Sequence, residues 1–131
     1  MKLFDGIKML IVDDDELLRE VICDIFASEG AGVSEADSGV AALAMIQHHR
    51  YDVVISDVRM PGGDGITLAK NISELSGEKP LVFICSGFND LNTEKACLLN
   101  IQKIFEKPFD HKHMITEVSQ KLMSIKTKAV G

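Results

Sequence analysis

At 131 residues the chain has room for one domain, since domains commonly hold about 100 to 150 residues. Hydrophobic residues at 46% with 26% charged exclude a disordered or fibrous chain, and 14 Lys plus Arg against 20 Asp plus Glu, for a formal charge of -6 with no basic stripe, argue against direct nucleic-acid binding. No apolar run approaches the ~18 residues of a membrane span and Met1 to Phe4 carries no signal-peptide core, so no membrane contact and a cytoplasmic location are expected.

Ile7 to Val12, interrupted only by Lys8, reads as a strand covered on both faces, and it stops at Asp13. Asp15 caps a helix whose stripe is Leu17, Leu18, Val21, Ile22, Ile25 and Phe26, and Gly30 ends it. Gly32 to Ala36 predicts a short second strand, and Ser38 caps a helix carrying Val40, Leu43, Ala44 and Ile46. Asp52 to Ser56 is a buried strand, Pro61-Gly62-Gly63 a loop, and Asp64 the cap of a helix with Leu68, Ala69, Ile72 and Leu75 inward.

Leu81 to Cys85 predicts the fourth strand, with a helix over roughly Leu91 to Leu99. Lys103 to Glu106 is a short fifth strand, Asp110 a cap, and Met114, Ile115, Val118, Leu122 and Ile125 the stripe of a last helix. Thr127 to Gly131 reads as a tail, leaving one domain over residues 1–126. Strict strand–helix alternation predicts a parallel sheet with right-handed crossovers, and five units are too few for an eight-stranded barrel, so the fold class is a doubly wound α/β sandwich with helices on both faces.

Cys23, Cys85 and Cys97, odd in number and without C-x-x-C spacing, read as buried packing thiols; Met45 and Met60 read as core. His48, His49, His111 and His113 lack the spacing of a helical zinc pair and read as surface residues. No phosphate-binding glycine loop, nucleophile elbow or dinucleotide turn is found.

The chemistry gathers at the strand ends. Asp13 and Asp14, Asp57, Ser86 and Lys107 each follow an apolar run, and in an open parallel sheet those edges line one crevice. Each has an ordinary reading: an acid before a helix is a cap, a strand-ending Asp is solvated, Ser86-Gly87 starts a turn, and a lone Lys is a surface charge. Adjacent buried acids repel unless a cation neutralises them, and Mg2+ suits carboxylates plus a phosphate. Asp57 then becomes a candidate phosphoryl-accepting nucleophile, Ser86 a donor to phosphate oxygens, and Lys107, held extended before Pro108, a compensating ammonium. No one of these residues marks a site; their shared placement does.

Ile11-Val12-Asp13-Asp14-Asp15-Glu16, Ser56-Asp57-Val58-Arg59-Met60-Pro61 with Asp64-Gly65, Cys85-Ser86-Gly87 and Glu106-Lys107-Pro108-Phe109 resemble the receiver domain of two-component response regulators, over about Ile7 to Ile125. The resemblance implies a flavodoxin-like (βα)5 sandwich with strand order 2-1-3-4-5. It implies Asp57 as phosphoacceptor, Mg2+ on Asp14, Asp57 and the Arg59 backbone carbonyl with Asp13 acting through a bound water, and Ser86 and Lys107 on the phosphoryl oxygens. The implied donor is a phosphohistidine on a sensor histidine kinase or phosphotransfer protein, and the chain is a switch that catalyses only its own phosphorylation and slow dephosphorylation. Output runs through the fourth helix, fifth strand and fifth helix to a downstream protein or domain, elements that also serve homodimers in the family.

Three positions depart from or tune the pattern. The residue three before the lysine, aromatic in the family, is Ile104, with Phe105 beside it. Arg59 and Phe88 stand where the family controls water access, which predicts a persistent phosphorylated state. A receiver-like module acting without phosphorylation is the chief alternative. A flavin site fits poorly because three acids follow the first strand, and a dehalogenase-type phosphatase fits poorly because Arg59 stands where a second Asp is needed.

Overall fold

The computed structural model describes residues 2–62, 64–87 and 99–130. Five parallel strands, β1 (Lys8–Val12), β2 (Gly32–Ala36), β3 (Val53–Asp57), β4 (Leu81–Ser86) and β5 (Ile101–Glu106), form one sheet in the order β2-β1-β3-β4-β5. Among the described residues four helices occur: α1 (Glu16–Ser28), α2 (Gly39–His48), α3 (Gly65–Ser73) and α4 (His111–Val130). The helix expected over 91–99 falls outside the described residues except at Leu99, which is in a turn. No helix of the described residues is long and apolar enough to cross a membrane.

Capping follows the side-chain chemistry. Asp15 accepts from the Leu17 and Leu18 N–H groups, Ser38 from Ala41, Asp64 from Thr67 and Asp110 from Lys112, each satisfying amides that a helix start leaves without an intrahelical partner. Gly30, at φ 97°, turns the chain out of α1 in a conformation that glycine adopts without steric cost.

Alternation along the strands divides the core into two layers. Leu10, Val12, Val54, Val82 and Ile84 pack with Ala42 of α2 and Leu68, Ala69 and Ile72 of α3. Met9, Ile11, Val53, Ile55, Phe83 and Phe105 pack with Ile22 and Phe26 of α1 and Met114 and Val118 of α4. Phe4 joins the second layer, its ring 5.4 Å from Phe26 and its N–H bonded to the Glu29 carbonyl at 2.8 Å. It precedes the first strand and carries no periodic signal.

Several expectations need correction. Leu17, Val21, Val40 and Ile125, expected in helical stripes, are exposed, because helical periodicity marks a wider stripe than the face the sheet covers. β5 begins two residues earlier than expected, at Ile101. The last helix continues through residues 127–130, read as a tail, with no Gly or Pro before Gly131 to stop it. Cys85 is buried but Cys23 is only half-buried, and Cys97 lies outside the described residues. Met60 is buried, Met45 half-buried and all four histidines exposed.

Candidate functional site

Parallel register brings the strand ends level. Val12 pairs with Ser56, Asp57 with Cys85 and Ser86 with Glu106, so the next residues along each strand meet at one edge. The ladder runs past the strands: Asp13 N–H donates to the Ala36 carbonyl at 3.1 Å, Val58 to Cys85 at 3.1 Å and Lys107 to Ser86 at 2.9 Å. Backbone hydrogen bonds therefore fix the chain at Asp13, Asp57, Ser86 and Lys107 without any ligand.

Asp13, Asp14 and Asp57 each place a carboxylate oxygen within 4.8 Å of the others. Asp13 is buried at 2% exposure, Asp57 half-buried and Asp14 exposed. Lys107 Nζ lies 2.9 Å from Asp57 Oδ1, which also accepts the Val58 N–H at 2.9 Å. Ser86, buried, donates its hydroxyl to the Gly87 carbonyl at 2.8 Å. Arg59 sits exposed two residues after β3, and the Lys107–Pro108 peptide is cis. Phe88 lies outside the described residues.

Burial pushes the Asp13 carboxyl above its ordinary range, and the neighbouring Asp57 and Asp14 charges push the same way against the Asp15 N–H and Lys107. For Lys107, burial alone would lower the ammonium; the Asp57 hydrogen bond and charge, with Asp13 behind them, outweigh it and raise it. Lys107 by itself does not balance three clustered acids, an excess of negative charge that a hard divalent ion would offset. The donor set is all oxygen, which fits Mg2+ rather than a thiolate- or imidazole-binding metal.

The floor of the crevice is equally constrained. Ser56 Oγ donates to the Asp57 carbonyl at 2.9 Å, and Gly65 N–H donates to the Val58 carbonyl at 2.8 Å. A Cβ on Gly65 would collide with the Asp57 carbonyl, so only glycine lets α3 start this close to β3. Two residues that sequence reasoning missed also reach the site: Arg19 Nη1 donates to the Asp13 carbonyl at 2.8 Å and its Nε to Glu35 at 2.9 Å. The available signal was an Arg one turn beyond the Asp15 cap, opposite an acid near the end of β2.

Fold and strand-end cluster together define a doubly wound α/β domain with an acidic crevice at the C-terminal edge of its sheet. The chain belongs to the response regulator receiver domain family, whose pattern matches residues 9–119. It is 33% identical over 104 residues to Sporulation initiation phosphotransferase F of Bacillus subtilis (strain 168), covering 79% of this chain and 83% of that protein. A response regulator receiver domain (CheY-like) from Methylobacillus flagellatus superposes with a TM-score of 0.76 at 31% identity, covering 91% of this chain and 98% of that one. The chain is 31% identical over 117 residues to the uncharacterized transcriptional regulatory protein YbdJ of Bacillus subtilis (strain 168), covering 89% of this chain and spanning about half (51%) of that protein.

Proposed function

We propose that the chain is a phosphoryl-accepting switch with its receiver domain over residues 1–126. Asp57 attacks a phosphohistidine phosphorus on a sensor histidine kinase or phosphotransfer protein; the P–N bond breaks, the carboxylate becomes an acyl phosphate, and the histidine leaves. Asp14, Asp57 and the Arg59 carbonyl would hold Mg2+, with Asp13 acting through a bound water, and such an ion would supply positive charge to offset that of the phosphoryl group. Lys107 and Ser86 take phosphoryl oxygens, the hydroxyl leaving Gly87 to do so, and these contacts, present only in the phosphorylated state, shift the balance of conformations that a cytoplasmic output partner reads.

The observation that carries this reading is the Lys107 ammonium 2.9 Å from Asp57, whose carboxylate lies within 4.8 Å of those of Asp13 and Asp14. Incubation with a small phosphodonor and Mg2+ should add the mass of one phosphoryl group to the wild-type chain and none to Asp57→Asn; no addition, or equal addition to both, contradicts it. A module acting without phosphate is the second reading, favoured by Ile104 at the family's aromatic position. Phosphorylation without change in the backbone NMR spectrum of β4 and β5 would support it.

A further inference from the structure

Asp13 is held through its backbone as well as its carboxylate. Its N–H bonds to Ala36, its Oδ1 accepts the Asp15 N–H at 2.9 Å, and its carbonyl accepts Arg19 Nη1. Arg19 stands in the first turn of α1, and its Nε is paired with Glu35, the β2 residue in register with Ile11 of β1. Its side chain is 16% exposed, so the guanidinium is seated rather than solvated. One rigid planar fork therefore ties α1 and β2 to a single peptide at the end of β1.

That peptide joins Asp13 to Asp14. Because a peptide unit is planar, fixing the Asp13 carbonyl direction fixes the plane from which the Asp14 side chain departs. Asp14 is the exposed member of the cluster, and its direction depends on that plane. By charge alone Arg19 is misplaced, since a cation bonded to the Asp13 carbonyl repels a second cation drawn to the same cluster. Its pairing with Glu35 offsets that charge and aims the fork at a carbonyl instead of the carboxylates.

We propose that Arg19, oriented by Glu35, is a positioning residue of the metal pocket: it locks the Asp13–Asp14 peptide so that Asp14 is presented to the divalent ion. The inference rests on the reading that Asp13, Asp14 and Asp57 hold Mg2+. Charge and positioning predict opposite signs. Removing a nearby cation tightens Mg2+ binding if only charge matters, and weakens it if Arg19 aims Asp14.

Calorimetric titration of metal-free protein with Mg2+ separates them. Arg19→Ala should raise the dissociation constant roughly tenfold, as loss of a partner behind a metal ligand commonly does. Arg19→Lys keeps the stem and charge but cannot make both contacts at once, and should weaken binding to a smaller but resolved extent. Unchanged or tighter binding by Arg19→Ala overturns the proposal, as does a Lys variant equal to wild type; should the Ala variant not fold, the Lys variant decides alone. If wild type itself binds no Mg2+, the metal reading falls and the clamp falls with it.

Discussion

Ile104 and Phe105, consecutive on β5, face opposite layers of the sheet. Ile104 is half-buried against the α2–α3 layer, while Phe105 is buried in the α1–α4 layer, its ring 6.0 Å from Phe83 and 6.0 Å from His113. Phe105 therefore cannot take over the place of an aromatic at 104, because strand pleating turns the two side chains to opposite sides. Phe105→Ala should cost about 3–5 kcal/mol and Ile104→Ala about 1–2 kcal/mol, since only the first empties a fully packed site. Urea unfolding of both variants checks the order; a larger loss at Ile104 contradicts the two-layer assignment.

Gly65→Ala reverses the usual helix rule. In an open helix this change gains about 0.5–1 kcal/mol. Here the added methyl meets the Asp57 carbonyl, and overpacking of that kind costs about 1–3 kcal/mol. The expected result is a lower urea midpoint with an altered Asp57 environment by NMR, and a stabilised variant would show that α3 can retreat from β3.

Asp13 makes the metal-free fold pH-sensitive in a definite direction. Its native pKa stands above its ordinary value of 3.8, so between the two the folded state binds more protons than the unfolded chain, and stability falls as pH rises through that window. Above both pKa values the whole penalty is present. Asp13→Asn, whose amide oxygen can still accept the Asp15 N–H, should raise the urea midpoint at pH 7 without metal and reduce the further gain on adding Mg2+. A midpoint lowered by the substitution would contradict the burial argument.

Lys107 competes with any divalent ion for Asp57. A unit charge about 4 Å away contributes ~1 kcal/mol in water-like surroundings, so Lys107→Ala should tighten Mg2+ binding roughly fivefold. Calorimetry measures it, and weaker binding would mean that Lys107 organises the pocket instead of competing with the ion.

The two described thiols should be inert. Burial pushes both Cys23 and Cys85 from 9.0 up to about 12, with Glu35 adding to the effect at Cys23. Three pKa units leave roughly a thousandfold less thiolate at a given pH. Iodoacetamide at pH 8, followed by peptide mass mapping that scores Cys23 and Cys85 separately, should label them only in urea; rapid native labelling at either would contradict the burial.

Much of the site was legible because strands and chemistry change composition at the same point. Val12 to Asp13, Ser56 to Asp57 and Cys85 to Ser86 each pass from a run covered on both faces to a polar edge, and parallel register makes edges converge. Caps at Asp15, Ser38, Asp64 and Asp110 were legible for a similar reason, since each acts within three residues of itself.

Contacts between distant residues were not. Arg19 with Glu35, Phe4 with Phe26 and Gly65 with Asp57 depend on how elements dock, which no local spacing encodes. Leu17 and Val40 matched a helical period yet face solvent, because periodicity names a stripe without saying how much of it the sheet covers.

The central claim, that Asp57 takes the phosphoryl group, is tested most directly by trapping the bond. Borohydride reduction after treatment with a phosphodonor and Mg2+ converts an acyl phosphate to a homoserine side chain, which peptide sequencing by mass spectrometry locates. Conversion at position 57 alone, dependent on both donor and Mg2+, is the predicted result. Conversion at Asp13 or Asp14 with none at Asp57, or none anywhere, would contradict it.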